Sequence, residues 1–579
     1  MKKISGNKLL VKALQEEGVD TLFAYPGACT IDISDELYKQ NSIKIILPRQ
    51  EIALVHEADA YARSTGKTGV CLVTSGPGAT NLVTGLATAY YDSVPLVCFT
   101  GQVARNLIGN DAFQEVDIVG ITRSICKYAV TVRKREELGD IIKKAFVIAK
   151  AGRPGVVVVD LPKDIQKEYG SGCYPESVEI RGCRQVTGAH AGQVRRAMEA
   201  LKQAKRPLFL LGGGVIISRA KEEMRYLAEA TGIPVVTTIM GKGAIPTTHP
   251  LYVGNIGIHG SYAANKAVSR CDLLFSIGTR FNDRITGKPG SFAPGASIIH
   301  VDIDPASISR NISVDIPIVA DAGQAIRAFR ERACPLETGA WREQIGKWKK
   351  QHPIERGQKG MTPEIIMRHI NEAFPEAIIV TDVGQNQLWV TQFLELDEHK
   401  QLLTSGGLGT MGYGLPAGIG AKLGNPGTDV VVIAGDGGMQ MNIQELASAV
   451  VYELSVIICI WNNGYLGNVR QWQEMFYGKR YSSTCMRYRK SCPSDCSRPG
   501  KDCPAYTPDF IRLAESYGAK GIRVTQEEEI ASALQTAKQT AGGPTIIEFI
   551  IDREENVIPI VPPGKTLEEM ILNEKEERV

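Results

Sequence analysis

Val430-Val431-Val432-Ile433-Ala434-Gly435-Asp436-Gly437-Gly438 is an apolar run that stops at glycine and aspartate. Val456-Ile457-Ile458-Cys459-Ile460-Trp461-Asn462-Asn463-Gly464 is another, and it stops at two asparagines. Both read as strands of a parallel sheet covered on both faces. The amphipathic segment 443–452 between them reads as a helix. Strand, turn, helix and strand bring the chain back to one edge of a sheet, so Asp436 and Asn463 are expected side by side there. A carboxylate, an amide oxygen and a nearby carbonyl, that of Tyr465, are hard oxygen donors. They suit Mg²⁺ held together with phosphate oxygens. Gly435, Gly437 and Gly438 let backbone N–H groups approach a diphosphate at a helix start.

Outward from this unit, strands and helices alternate along the whole chain. The pattern predicts an α/β protein of three doubly wound parallel-sheet domains, over 1–170, 190–335 and 360–550, with a tail over 551–579. In the first, Gly69-Val70-Cys71-Leu72-Val73-Thr74 and Val156-Val157-Val158-Val159-Asp160-Leu161 are strands. In the second, Leu208-Phe209-Leu210-Leu211 runs into Gly212-Gly213-Gly214, and strands are expected over 273–278 and 297–302. In the third, strands are expected over 377–381, 430–434, 456–461 and 544–549. Thr74-Ser75-Gly76-Pro77-Gly78…Asn81 and Ala434-Gly435-Asp436-Gly437-Gly438…Asn442 look like variants of one turn, a hint that the outer domains are related. The polar stretches 170–192 and 341–360 read as linkers.

Composition narrows the function. The chain has 579 residues, 43% of them hydrophobic, with 66 Lys+Arg against 63 Asp+Glu and a net charge of +3. Such a balance gives no electrostatic reason to expect nucleic acid or an anionic membrane as partner. No apolar run approaches the length of a transmembrane helix. The N-terminal residues lack a signal-peptide core, so a cytoplasmic setting is expected. Most of the 13 cysteines are scattered, as small buried hydrophobes are.

The full unit, G-D-G followed by N-N, resembles the signature of thiamine-diphosphate enzymes. Such chemistry needs a glutamate beside the aminopyrimidine in a dry site, where it shares a proton with the ring. Glu51, in Leu47-Pro48-Arg49-Gln50-Glu51, follows a mainly apolar strand over 43–47. Over nearly its whole length the chain is similar to the catalytic subunit of the biosynthetic acetohydroxyacid (acetolactate) synthase family. Matching stretches include Tyr25-Pro26-Gly27, Thr74 to Asn81, Asp92-Ser93-Val94-Pro95, Asp111-Ala112-Phe113-Gln114-Glu115, Leu161-Pro162-Lys163-Asp164 and Thr404 to Gly412.

This resemblance implies a reaction. The two-carbon remnant of pyruvate, left after decarboxylation, is joined to a second 2-keto acid, pyruvate or 2-ketobutyrate. It also implies roles. Glu51 activates the pyrimidine, the Gly409 carbonyl accepts from it, and Met411 wedges under the cofactor. Phe113 and Gln114 stand near the reacting carbon, and Lys163 and Arg284 offer cations to a substrate carboxylate. Trp472 contacts the extra methyl of 2-ketobutyrate. Pro26, Asn81, Val383, Gly384, Gln385 and Asn386 are carried over as contacts of thiamine diphosphate. The middle domain resembles an FAD-binding one, with Arg153, Gly212, Gly213, Gly214, Thr238, His259, Arg280, Asp302 and Asp321 in or beside the matching motifs. A flavin there is structural, since the main reaction does not consume it. The family's assemblies are homodimers or homotetramers, with a small regulatory subunit as a further partner. Taken singly, Met411 and Trp472 also read as ordinary core, and Lys163 and Arg284 as solvated surface charges.

Several positions depart from the family. Ala28 and Cys29 follow Gly27 where a second glycine is usual, and Asn386 replaces a diphosphate-binding histidine. Asn468, Arg470 and Asn282 are also changed. One added methyl or polar group in a packed pocket shifts selectivity by ~1–3 kcal/mol, so a related carboligase, oxidase or cyclic-dione hydrolase is the alternative reading. The presence of Glu51, Asp436 and Asn463 argues against a non-catalytic homologue. The largest departure is an insertion before Pro508-Asp509-Phe510. It carries Cys485, Cys492, Cys496 and Cys503, spaced C-x6-C-x3-C-x6-C, and 479–503 holds seven Lys/Arg against two Asp. Four close cysteines suggest a zinc or iron–sulfur site, with a disulfide-forming or mobile loop as the alternative.

Overall fold

The computed structural model describes residues 3–182, 188–354, 361–493, 503–504, 506 and 508–573. They form three six-stranded sheets in which every pairing is parallel. Helices cover both faces, as parallel strands require.

The strands of the first sheet are Thr21–Tyr25, Lys44–Ile46, Gly69–Val73, Leu96–Gln102, Tyr128–Thr131 and Val156–Pro162. Numbered in chain order, they lie side by side as 2-1-3-4-6-5. Those of the third sheet are Ile378–Thr381, Gln401–Thr404, Val430–Gly435, Val456–Asn462, Lys520–Val524 and Thr545–Ile550, again in the order 2-1-3-4-6-5. The hinted kinship of the outer domains is therefore one of topology as well as of turn sequence. The middle sheet comprises Pro207–Leu211, Val235–Thr237, Tyr252–Asn255, Leu273–Ile277, Ser297–Asp302 and Ile316–Val319. Its order, 3-2-1-4-5-6, is that of the dinucleotide-binding folds.

The first and third domains of the chain are joined through two helices, Glu51–Thr65 and Gly414–Gly424. The second is Gly-Leu-Pro-Ala-Gly-Ile-Gly-Ala-Lys-Leu-Gly, and its small residues let the backbones meet. A Cβ placed on Gly420 would fall on the Glu57 carbonyl oxygen. The tail continues the tie. The Val557 N–H donates to Gln471 Oε1 at 2.8 Å in the third domain, and the Val561 N–H to the Ile258 carbonyl at 2.8 Å in the middle one.

Both expected linkers are partly structured. Tyr169–Ser171 is a strand that pairs antiparallel with Lys3–Ser5, and a helix begins at Ala191. Gly339–Gln351 is a helix rather than a linker. Trp341, Ile345 and Trp348 recur at helical spacing in a polar stretch and pack on the middle domain, where Trp341 Nε1 donates to the Pro207 carbonyl at 3.1 Å. Among the described residues no helix is long and apolar enough to cross a membrane.

Candidate active site

The sequence-predicted residues gather at three places. The first is the carboxyl edge of the third sheet. Gly435 lies in register with Trp461, so Asp436 and Asn463 leave neighbouring strand ends together. Asp436 opens the short helix Asp436–Met439 and is almost wholly buried; its Oδ2 has no partner among the described residues. Burial pushes its carboxyl up to about 7. Asn463 Oδ1 accepts from the Tyr465 N–H at 3.0 Å and its Nδ2 donates to Gln385 Oε1 at 3.2 Å. Gln385 in turn donates to Gln471 Oε1 at 2.9 Å. A buried carboxylate oxygen without a partner, flanked by amide and backbone oxygens, fits a hard divalent cation.

Asn386 lies at the same edge. Its Nδ2 faces three oxygen acceptors, the Thr381 hydroxyl at 3.2 Å, the Asp382 carbonyl at 2.8 Å and the Ile433 carbonyl at 3.2 Å. The amide nitrogen braces two strand ends and is not free to meet a phosphate. Met411 lies near the same edge, with its Cε 3.6 Å from where a Gly437 Cβ would be.

The loop 405–414, which carries Gly409 and Met411, is held by two carboxylates that the sequence reading did not single out. Asp382 accepts from the backbone of Val383 at 2.7 Å, Gly412 at 3.1 Å and Gly414 at 2.8 Å, and burial raises it to about 6. Asp92 of the first domain accepts from Gly407 N–H at 2.7 Å and Gly406 N–H at 3.2 Å. Arg63 pairs with Asp92 at 2.8 Å and with Asp59 at 2.8 Å, and Asp59 accepts from Tyr413 Oη at 2.8 Å. Gly409 sits at φ +76°, a conformation that glycine adopts at no steric cost.

The second place is the carboxyl edge of the first sheet. Glu51 is the first residue of its helix, buried, and accepts from Asn81 Nδ2 at 2.9 Å. A Gly78 Cβ would stand 3.6 Å from Glu51 Oε1, so the glycines leave room over the carboxylate. Lys163 donates to the Ala28 carbonyl at 2.8 Å, and Gln166 to that of Cys29 at 2.8 Å. The changed Ala28-Cys29 turn is thus pinned from behind. Gln114 lies at φ +58° against Gly76, and Phe113 beside it is 86% exposed.

The third place is a cavity of about 1630 Å³ enclosed by all three domains. Ordinary small-molecule pockets run to ~300–1,000 Å³, so this one has room for a dinucleotide. Arg153, Gly213, Gly214, Thr238, His259, Arg280, Asp302 and Asp321 line it, as do Arg284, Gly409 and Trp472. Its mouth is the switch point of the middle sheet, where strands 1 and 4 lie side by side. There Gly212 touches Gly278 so closely that a Cβ on it would fall on the Gly278 carbonyl. Burial lowers His259 to about 4 and raises Asp302 to about 6. His259 Nδ1 and Thr279 Oγ1 have no partner among the described residues. Lys242, also missed in the sequence, lines the same space and is pushed down to about 7 by burial. Glu51, Asn81, Phe113, Lys163, Asp436 and Asn463 are not in its lining.

Family profiles match all three domains. The thiamine pyrophosphate enzyme N-terminal TPP binding domain covers 4–121, the central domain 194–329 and the C-terminal TPP binding domain 382–549. The chain belongs to the thiamine pyrophosphate enzymes, among the acetolactate synthase large subunits. It is 44% identical over 583 residues to the probable acetolactate synthase large subunit of Methanocaldococcus jannaschii, covering 98% of this chain and 95% of that one. It is 41% identical over 591 residues to the acetolactate synthase large subunit of Haemophilus influenzae, covering both chains in full. With that of Cyanidium caldarium the identity is 43% over 585 residues, covering 98% of this chain and 96% of that one.

In the insertion, Cys485 and Cys492 are free thiols, and Cys496 lies outside the described residues. Among the described residues no group of three or more His, Cys, Asp or Glu is placed to hold a metal ion.

Proposed function

We propose that this protein decarboxylates pyruvate and ligates the two-carbon fragment to a second 2-keto acid, pyruvate or 2-ketobutyrate, on the way to branched-chain amino acids. The observation that carries it is the buried, half-partnered Asp436 carboxylate beside Asn463, on a chain that aligns end to end with acetolactate synthase large subunits.

Asp436, Asn463 and the Tyr465 carbonyl hold Mg²⁺, and the Gly435–Gly438 turn and Val383-Gly384-Gln385 hold the diphosphate. Bound thiamine diphosphate supplies the carbon nucleophile and the electron sink that decarboxylation needs. Glu51 holds a proton at the pyrimidine nitrogen, in a pocket that burial keeps dry. Met411 and the Gly409 carbonyl would support the bound cofactor on its pyrimidine side. Gln114 steadies negative charge on the substrate oxygen, and Lys163 and Arg284 draw in the carboxylate. Trp472 walls the acceptor side. FAD fits the three-domain cavity, held by Gly213, Gly214, Arg153, Arg280, Asp302 and Asp321, and serves to keep that cavity filled.

The working unit on this reading is at least a homodimer, in which Glu51 of one subunit faces the diphosphate domain of the other.

The test is acetolactate formation from pyruvate by the purified protein with thiamine diphosphate and Mg²⁺, set against Glu51→Gln. Activity that is lost in the variant supports the reading. Cofactor binding without acetolactate moves the substrate elsewhere and turns attention to Ala28, Cys29 and Asn468.

A further inference from the structure

The inserted segment begins and ends on the metal loop. Its first arm pairs with that loop as a short antiparallel ladder. The Leu466 N–H donates to the Thr484 carbonyl at 2.9 Å, the Met486 N–H to the Gly464 carbonyl at 2.8 Å, and Tyr465 bridges Cys485. The methylenes of Arg487 then cover Gly464, and its Nε crosses to the second arm, donating to the Pro504 carbonyl at 2.8 Å. On that arm Tyr506 stacks on Phe510 and lies 3.9 Å from where a Gly464 Cβ would be. Its hydroxyl accepts from Gln440 Nε2 at 3.1 Å, while the same Nε2 donates to the Asp436 carbonyl at 2.9 Å. The Tyr506 side chain also lies within hydrogen-bonding reach of the Asp436 carboxylate.

We propose that Arg487 and Tyr506, at the two ends of the insertion, are positioning residues that lock the Asn463–Tyr465 loop and Asp436 in the geometry that binds Mg²⁺. The inference rests on the metal reading above. Neither residue is a ligand. Arg487 ties the two arms into one strap, and Tyr506 orients the carboxylate while Oδ2 has no partner among the described residues. Groups that orient a metal ligand in this way are worth ~10–100-fold in affinity.

The experiment uses the full-length protein and its Tyr506→Phe and Arg487→Ala variants. Mn²⁺ binding in the presence of thiamine diphosphate is followed by the electron paramagnetic resonance signal of the free ion. The KM for Mg²⁺ and kcat at saturating Mg²⁺ are measured beside it. Each variant is expected to bind Mn²⁺ about tenfold more weakly or worse, with the KM for Mg²⁺ raised to match and kcat within about twofold of wild type. That split separates positioning from general damage, which would lower kcat. Should Arg487→Ala fail to fold, Tyr506→Phe, which removes only a hydroxyl, decides. Wild-type Mn²⁺ affinity in a folded Tyr506→Phe variant would overturn the proposal. A wild-type protein that binds no Mn²⁺ with thiamine diphosphate would remove the metal reading itself, and the strap's role with it.

Discussion

Asp92→Ala should loosen the loop that carries Gly409 and Met411 while leaving the sheets intact. In the native chain the Asp92 carboxylate takes the Gly407 N–H at 2.7 Å, the Gly406 N–H at 3.2 Å and the Arg63 guanidinium at 2.8 Å. Each hydrogen bond is worth at least ~1 kcal/mol even before the acceptor's charge adds to it, and removing an acceptor leaves its donor unsatisfied. Arg63 keeps Asp59 and the Thr404 carbonyl, which accepts at 3.0 Å, so its residual penalty is only ~1 kcal/mol. The total is ~3 kcal/mol in favour of the open loop, about a hundredfold in its population. Hydrogen–deuterium exchange reads this directly, since protection of a peptide over 400–414 reports local opening. Exchange in that peptide should quicken about a hundredfold, while peptides over 430–435 and 456–462 stay protected. Asp92→Asn keeps one acceptor oxygen and should fall between. Unchanged exchange over 400–414 in Asp92→Ala would show that the loop is held from the third domain alone, through Asp382, and would refute the reasoning.

Gly420→Ala places a methyl on the Glu57 carbonyl between the two crossing helices. The thermal midpoint should drop, by the ~1–3 kcal/mol typical of overpacking, and a midpoint equal to wild type would mean the contact is loose. His56 is wholly buried against Tyr413, and neither ring nitrogen has a partner among the described residues. Burial lowers it from 6.5 to about 3. The unfolded chain therefore takes up a proton below pH 6.5 that the folded chain refuses until about pH 3, and stability falls as pH drops through that window. Between pH 7.5 and 5.5 the loss due to this residue is ~1.4 kcal/mol. His56→Leu should lose that much less in urea unfolding over the same range, and equal losses in the two proteins would count against it.

What could be read in advance was whatever depends on neighbours in sequence. Gly435-Asp436-Gly437 and Asn462-Asn463 each end a long apolar run, and one helix between them fixes their relation. The short strands escaped. Gln401–Thr404 and Tyr252–Asn255 are four residues long and lie at sheet edges, where fewer apolar side chains are needed. The helix Gly339–Gln351 reads as a linker because its charge outweighs three aromatic and aliphatic residues, although those three keep helical spacing. Asp92 was quoted as part of a matching stretch, but its partner Gly407 is 315 positions away. No local pattern announces such a contact. Asn386 was carried over from a histidine's role. Only its surroundings, three oxygen acceptors at the strand ends, reveal that the amide has been turned to bracing the sheet.

The common strand order of the outer domains explains why the candidate residues fall where they do. In an open parallel sheet the ligand crevice lies outside the carboxyl ends, where the winding reverses. For the order 2-1-3-4-6-5 that point lies between strands 1 and 3. In the first domain, Pro26 follows strand 1, Glu51 strand 2, the Gly76–Asn81 turn strand 3, and Phe113-Gln114 strand 4. In the third, Val383–Asn386 follows strand 1, Gly409 and Met411 strand 2, Gly435–Gly438 strand 3, and Asn463–Tyr465 strand 4. The same four loops thus carry the candidate residues twice, a buried carboxylate and hydrogen-bonding groups in the first domain, oxygen donors and backbone N–H groups in the third. One fold supplies two chemically different edges because only the loops differ. Within a single chain the two edges are not brought face to face around the large cavity, which takes its lining from the middle domain's own switch point instead. On the proposed dimeric reading, each edge offers half of a site and an edge from another copy completes it. An equimolar mixture of Glu51→Gln and Asp436→Ala chains, each inactive alone, should recover about a quarter of wild-type activity on reassembly, since half the pairs formed at random are mixed and each holds one intact site. No recovery would place both edges of each site in one chain.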